Sequence, residues 1–267
     1  MSQSWKTYLS LLKKKKRQEA GMFMVEGLRI CRDALASGWA VEAVFATEAF
    51  AASSAGEAFR EMLRQHGWEW QLLAPGNFRR LAETESPQGI LLVMRLPAED
   101  ALLSGSGWMQ AGFLLVLQGV RDPGNLGTII RSADWFGVDG IILSGDCVDP
   151  YNPKVLRGTM GSIFHVPLAV APELTETLTR LKQHGFRMYA SAVEGAQAVP
   201  EIQFRKPLAL ILGNEAHGVS GELFALSDQT VRIEQYGRAE SLNVGIAGAV
   251  LLAHIAGQIY QKGHSTR

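Results

Sequence analysis

The side chains able to do chemistry gather in three short segments. The first is Asn125-Leu126-Gly127-Thr128-Ile129-Ile130-Arg131, the second Gly213-Asn214-Glu215-Ala216-His217-Gly218, the third Ser241-Leu242-Asn243-Val244. In the first, a turn made of Asp122, Pro123, Gly124 and Asn125 joins an apolar run, Phe113 to Leu117, to a helical pattern. That places a side-chain amide at the mouth of a strand-end loop and a permanently charged guanidinium six residues on. An Arg near a helix N-terminus at the carboxyl end of a strand suits an anionic or hydroxyl-bearing substrate. The plain alternative is a βα turn with a surface Arg, in which Asn125 only caps the helix. The other two segments shift the balance. Leu208 to Leu212 is a second apolar strand that runs into the Gly213 loop, and Ser241 to Val244 opens a long apolar helix. Ligands of open α/β sheets collect at such strand ends.

The elements that must position these segments are legible from Phe113 onward. Apolar runs alternate with helical patterns, with strands expected at 113–118, 139–144, 163–168, 186–192, 208–212 and 230–234. Helices are expected at 126–136, 153–160, 173–184, 220–226 and 243–260. This is the pattern of an α/β domain with a parallel sheet covered on both faces. Residues 1–96 read as a smaller α/β domain, with strands at 41–46, 69–73 and 89–94, a strand turning into a helix over 21–35, and helices at 57–65 and 78–81. Residues 97–112 are small and turn-rich and read as a linker; 113–267 then form the second domain.

Composition bounds the function classes. The chain has 267 residues, long enough for two modest domains. Its 26 basic and 26 acidic residues cancel, so no global field draws it onto a polyanion. The charge is unevenly placed, because Lys13, Lys14, Lys15, Lys16 and Arg17 form a run in a segment without acids. The two cysteines, Cys31 and Cys147, lack metal-ligand spacing and read as reduced thiols, which points to a cytoplasmic protein with no metal. The longest apolar stretch, Ile246 to Gly257, is too short for a bilayer span, so no membrane role is expected. The glycines between Gly119 and Gly127 have the wrong spacing for a dinucleotide site, which argues against a nucleotide-dependent oxidoreductase.

Taken in order, Asn125-x-Gly127-x3-Arg131, Gly213-x-Glu215-x2-Gly218 and Ser241-Leu242-Asn243-Val244 resemble the three motifs of the SpoU (TrmH-type) RNA 2′-O-ribose methyltransferases of the SPOUT superfamily. The resemblance covers roughly residues 113 to 260. It departs from the usual pattern at Asn214, Ala216 and Gly245. It implies a parallel-sheet SPOUT domain with a C-terminal trefoil knot, a homodimer, and methyl transfer from S-adenosylmethionine to a ribose 2′-hydroxyl without a metal. It makes Arg131, Asn125, Glu215, Ser241 and Asn243 the catalytic set. Gly213, Ile233 and Leu242 become the cofactor-binding residues, through main-chain groups and apolar contact. Arg131 would stabilise the developing alkoxide or grip a neighbouring phosphate; it is too basic to act as a base itself. Glu215 would pair with Arg131 or lie solvated. Ser241 and Asn243 would cap the last helix, bind the donor's carboxylate, or both.

Lys13 to Arg17, then Phe23-Met24-Val25-Glu26-Gly27 and Ser86-Pro87-Gln88-Gly89-Ile90, resemble the RNA-binding domain that precedes the catalytic domain in many SpoU enzymes. That resemblance implies a ribosomal-protein-like fold over residues 10 to 95, with Lys13, Lys14, Lys15, Lys16 and Arg17 contacting RNA phosphates. Arg29, Arg32, Arg79 and Arg80 would extend the patch. The two-domain layout favours ribosomal RNA as substrate. A tRNA methyltransferase and a non-catalytic RNA-binding protein of the same fold are the alternatives. Trp135 and Phe136 are expected to pack their helix onto the sheet, and His165, His217 and His254 to be structural or superficial.

Overall fold

The computed structural model describes residues 4–97, 108–194 and 197–260, so most of the expected linker at 97–112 lies outside the described residues. Contacts divide the chain into two units. Unit 1 takes the described residues up to 97 together with Asp149–Phe164; unit 2 takes those of 108–148 and from His165 onward.

After a 3₁₀ helix at Trp5–Leu12, the chain forms α1 (Lys14–Ala20), β1 (Met22–Glu26), α2 (Leu28–Ala36), β2 (Val41–Ala46), α3 (Glu48–Ala51), α4 (Ser54–Gln65), β3 (Gln71–Leu72), α5 (Pro75–Leu81) and β4 (Ile90–Arg95). There follow β5 (Phe113–Leu117), α6 (Pro123–Trp135), β6 (Gly140–Ser144), α7 (Pro153–Thr159), β7 (Leu168–Ala171), α8 (Leu174–Gln183), β8 (Arg187–Ser191), β9 (Gln197–Ala198), β10 (Leu208–Leu212), α9 (Gly221–Leu226), β11 (Gln229–Arg232) and α10 (Val244–Tyr260). The strand expected at 163–168 is displaced. Ser162–Phe164 is a 3₁₀ turn, and the strand begins at Leu168, where pairing with Ile141 starts. Apolar content alone could not tell a buried turn from a buried strand.

Unit 1 has a four-stranded sheet in the order β1-β4-β2-β3, antiparallel except for the β2–β3 pair. One face is filled by Tyr8, Met24, Phe45, Phe78, Leu81 and Leu91. An aromatic group joins Phe23 to Tyr151 (centroids 4.8 Å apart) and Trp39 to Phe164 (5.2 Å), which binds the 149–164 excursion into this unit. The same excursion supplies Asp149, whose carboxylate accepts from Arg17 Nε at 3.0 Å and Nη2 at 2.5 Å. Arg17 is only 3 % exposed and also donates to the carbonyls of Leu11 and Leu12. This corrects the expectation that Arg17 contacts RNA: α1 turns Lys13 to Lys16 outward and Arg17 inward, where its charge is already neutralised.

Unit 2 is a seven-stranded, wholly parallel sheet in the order β7-β6-β5-β10-β8-β11-β9. Strands β5, β6 and β10 are buried along their whole length, as a sheet covered on both faces requires. Leu114, Val116, Ala209 and Ile211 face a cluster with Leu178, Leu181 and Leu223 of α8 and α9. On α10, Leu251, Leu252 and Ile255 are fully buried, each contributing about 1.5–3 kcal/mol. Gly248 lets α10 close onto the sheet, since a Cβ there would come within 2.9 Å of Leu212 Cδ1. Among the described residues no helix is long and apolar enough to cross a membrane.

Arg17→Ala is expected to destabilise unit 1 by about 3–5 kcal/mol, because it leaves the Asp149 charge buried without its partner. Hydrogen exchange of the β1 and β4 amides reads this out, with Lys14→Ala as the near-neutral comparison.

Candidate active site

The sheet order fixes where the site forms. From β5 the chain steps outward through β6 and β7, while β10 pairs on the other side of β5, so the order reverses between β5 and β10. Leu117 and Leu212, the last residues of those strands, are register partners. The loops that follow must therefore leave side by side, at the switch point where open α/β sheets bind ligands. Gln118 ties them: its backbone N–H donates to Leu212 O at 2.9 Å, and its side chain both donates to Ser220 Oγ (3.0 Å) and accepts from Ser220 N (2.8 Å).

Each loop has its own internal reason for its shape. Asp122 caps α6, accepting from Asn125 N at 2.8 Å with Pro123 in the first turn. That resolves the ambiguity over Asn125, whose side chain is free of capping duty. Asn243 caps α10, its Oδ1 accepting from Gly245 N (2.9 Å) and Ile246 N (3.3 Å). Ser241 is not the cap; it lies exposed two residues earlier. In the 213–220 loop, Asn214 and Gly218 exchange backbone hydrogen bonds at 3.0 and 2.8 Å, with Gly218 at φ 67°. Gly213 must be glycine for this turn, because a methyl there would run into the Gly218 carbonyl. Its backbone is held close to the loop itself, a reason distinct from the ligand approach expected of it.

The three segments meet through their side chains. Asn243 Nδ2 donates to Asn125 Oδ1 at 2.8 Å, and Asn125 Nδ2 donates to Glu215 Oε1 at 2.8 Å. The direction of this chain is set at both ends. A carboxylate can only accept, and the cap position uses the Asn243 oxygen for backbone N–H groups, so both amides must point the same way. Glu215 Oε2 accepts no hydrogen bond among the described residues and stays available at the mouth of the loops.

Arg131 does not pair with Glu215, contrary to that part of the expectation; Glu215 is engaged by Asn125 instead. Six residues along α6 turn Arg131 away from Asn125, and it is exposed with no ion pair among the described residues. It shares a face with Thr128 and Trp135, at the three- and four-residue spacings of a helix. Thr128 in turn abuts Gly245, two residues past Asn243. Trp135 is 83 % exposed, which overturns its assignment to packing on the sheet. Ile233 is half-buried just after β11, and Leu242 is half-exposed beside Asn243; the chain between them forms no helix or strand.

Sequence reasoning missed Asn214, treated above only as a departure. Its Nδ2 donates to Gly119 O at 2.7 Å, and its Oδ1 accepts from Ala216 N (2.8 Å) and His217 N (3.3 Å), so it shapes the loop and links it to β5. An Asn opening a glycine-rich turn was the available signal. Ser144 and Asp146 were also missed. Gly119 N donates to Ser144 Oγ, whose hydroxyl donates to Asp146 and holds that carboxyl below its ordinary value. Arg121 lies 3.4 Å from the same carboxylate. Burial pushes both cysteine thiols up, as is usual for structural cysteines. No metal-ligand cluster occurs among the described residues.

A parallel α/β sheet with polar loops clamped at its switch point defines a domain of the ligand-binding α/β class. Residues 112–253 match the SpoU rRNA Methylase family, and residues 3–92 match the MRM3-like substrate binding domain. The 23S rRNA (guanosine(2553)-2′-O)-methyltransferase RlmP of Bacillus subtilis is 33 % identical over 96 % of this chain and 97 % of its own. The SpoU methyltransferase AviRb from Streptomyces viridochromogenes, solved with the cofactor AdoMet, superposes with a TM-score of 0.83 at 29 % identity, covering 98 % of each chain. An AdoMet-bound rRNA methyltransferase from Sinorhizobium meliloti gives 0.82 at 31 % identity over 98 % of this chain and 95 % of that one. The chain belongs to the SpoU family of RNA methyltransferases.

Gly213→Ala is expected to cost about 1–3 kcal/mol through overpacking against the Gly218 backbone. The Asn214 and Gly218 amides should lose hydrogen-exchange protection, while those of β6 and β7 keep theirs.

Proposed function

We propose that this protein transfers the methyl group of S-adenosylmethionine to a ribose 2′-hydroxyl of ribosomal RNA. The observation that carries the reading is the Asn243–Asn125–Glu215 chain, which draws three separated loops into one site at the sheet's switch point. S-Adenosylmethionine supplies an electrophilic methyl on a sulfonium that departs neutral, so no metal is required. The residues present fit it. The irregular chain from 233 to 243 and the loop from Gly213 offer backbone donors and acceptors, and Ile233 and Leu242 offer apolar surface.

What remains for the protein is to orient the ribose oxygen and stabilise its charge as the proton leaves. Holding the reactants in line is worth up to about 7–11 kcal/mol. Asn125 sits with its amide nitrogen donating to Glu215 and its amide oxygen accepting from Asn243, a rigid wall against which a ribose can be registered. Arg131, exposed on α6 and without an ion pair among the described residues, stabilises the alkoxide or grips the adjacent phosphate; that phosphate or a water takes up the proton. Glu215 Oε2 and the Ser241 hydroxyl, both open to solvent, face incoming polar groups. The rRNA target is supported by the relatives' named substrates and by the substrate-binding domain matched at residues 3–92. In the domain assignment proposed here, residues 1–96, with 149–164 packed into the same unit, recognise RNA, and the rest of 113–267 catalyses transfer.

The trefoil knot and the homodimer belong to the same reading. Strand β10 lies between β5 and β8, both of which precede it in the chain. Along α10, Ile246 (53 % exposed) and Val250 (40 %) continue an apolar stripe from Leu242 (50 %), at four-residue spacing. Such a stripe fits a second copy of the chain, and α6, which carries Arg131, packs beside α10.

Arg131→Ala is expected to lower methyl transfer by two or more orders of magnitude, assayed with tritiated S-adenosylmethionine on unmodified rRNA, with donor affinity by calorimetry unchanged. Full activity would remove Arg131 from this role, and absent donor binding in the wild type would favour a non-catalytic RNA-binding protein. Ile246→Glu with Val250→Glu is expected to convert a dimer to a monomer by light scattering; a monomeric wild type refutes the homodimer.

A further inference from the structure

Tyr236, at 90 % exposure, is the most exposed aromatic among the described residues. It lies on the irregular chain from Ile233 to Asn243. That chain leaves the carboxyl end of β11 and runs to the Asn243 cap of α10, the helix that Gly248 seats against Leu212 at the end of β10. Only β8 separates β11 from β10, so the chain crosses about 10 Å of the sheet along its carboxyl edge. Its far end is bonded to Asn125, and through Asn125 to Glu215. Tyr236 is thereby carried on the rim of the candidate site.

A single exposed aromatic needs no explanation by itself. This one is held in place with its faces open. Its hydroxyl donates to Glu234 Oε2 at 2.7 Å, which fixes the ring. The backbone beneath is tied as well, because Gln235 Nε2 donates to Gly237 O at 3.1 Å and to Ala239 O at 2.7 Å. No other ring or cation packs on the phenol among the described residues, and a Cβ built on Gly237 would meet nothing within 4 Å. A ring ordered in advance loses little freedom when a flat partner settles on it. The hydrogen bond to Glu234 raises the phenol above its ordinary value, so the ring is uncharged at neutral pH. The loop's charge then selects the kind of contact. Residues 234–240 hold Glu234, Arg238 and Glu240, one acid in excess, and such a segment does not attract a phosphate. Unpaired RNA bases, by contrast, are read by stacking on aromatic side chains.

We propose that Tyr236 is a positioning residue that stacks on an unpaired base of the RNA substrate, at or beside the nucleotide that receives the methyl group. The proposal rests on the RNA-methyltransferase reading. Stacking on the rim registers that nucleotide against Asn125 and Glu215, and it tolerates any base because each has a π face. The adenine of the methyl donor is the other flat group in the reaction; Ile233 and Leu242 already offer it apolar surface, which leaves the outward ring of Tyr236 to the RNA.

The test compares the full-length enzyme with its Tyr236→Ala and Tyr236→Phe variants on an unmodified 23S rRNA transcript. Binding is followed across a salt series, methyl transfer with tritiated S-adenosylmethionine, and donor affinity by calorimetry. Tyr236→Ala is expected to weaken RNA binding and raise KM for RNA by about tenfold, the loss of one stacked base. Its kcat at saturating RNA should stay near wild type, since ground state and transition state lose the same contact. The slope of log affinity against log salt should not change, because no phosphate contact is removed. Tyr236→Phe keeps the ring and should behave as wild type, and donor affinity should match wild type in both variants. Wild-type RNA affinity in Tyr236→Ala would overturn the proposal. An equal loss in Tyr236→Phe would assign the effect to the hydroxyl, a flattened salt slope would assign it to charge, and weakened donor binding would assign the ring to the donor's adenine; each of these overturns it too. All four outcomes leave the methyltransferase reading standing, whereas absent RNA binding by the wild type would overturn both.

Discussion

The parallel pairing of β5 with β10 is the constraint on which the site depends. Residues 117 and 212 are distant in sequence, yet the register places them opposite one another. Everything polar that follows each strand must then emerge into the same space. Burial on both faces holds that register, because a slip of one residue would turn the whole apolar set of a central strand toward the wrong layer. The side-chain bonds among Asn243, Asn125 and Glu215 are individually modest, each worth about 1 kcal/mol net. They orient the loops; the strands bring them together.

Helix α10 plays the complementary part. Its middle is sunk against the sheet, with Gly248 over Leu212, so its N-terminus arrives above the end of β10. Asn243 is there both cap and link, its oxygen spent on the helix and its nitrogen on Asn125. A single side chain thus couples the helix start to the amide of another loop. Asn214 does comparable work between the Gly213 loop and Gly119. The residues with the most partners in this site are amides, whose paired donor and acceptor let one loop be tied to two others.

The excursion at 149–164 changes how the two halves of the sequence are understood. Residues read as part of the catalytic stretch close the core of unit 1, through Tyr151, Phe164 and Asp149. A buried ion pair of this kind is weak evidence for net stability, but breaking it is costly. It therefore specifies where the excursion must sit. Arg17 illustrates the consequence: in a run of five like residues, one is structural and four face solvent.

The sequence by itself determined the alternation of strands and helices, the two α/β portions and the three loop motifs, because apolar periodicity and turn chemistry are local properties. Asn125, Glu215 and Asn243 could be singled out from type and order, and the structure places them in direct contact. Only the tertiary structure decided which of them cap and which connect, that Arg17 turns inward to Asp149, that Trp135 faces solvent, and that residues 162–164 are a turn. Each of those outcomes depends on a partner far away in the chain: a register neighbour, a buried opposite charge or a covering layer. Periodicity within a segment carries no record of what lies across from it, and so the burial and bonding of a side chain wait on the fold.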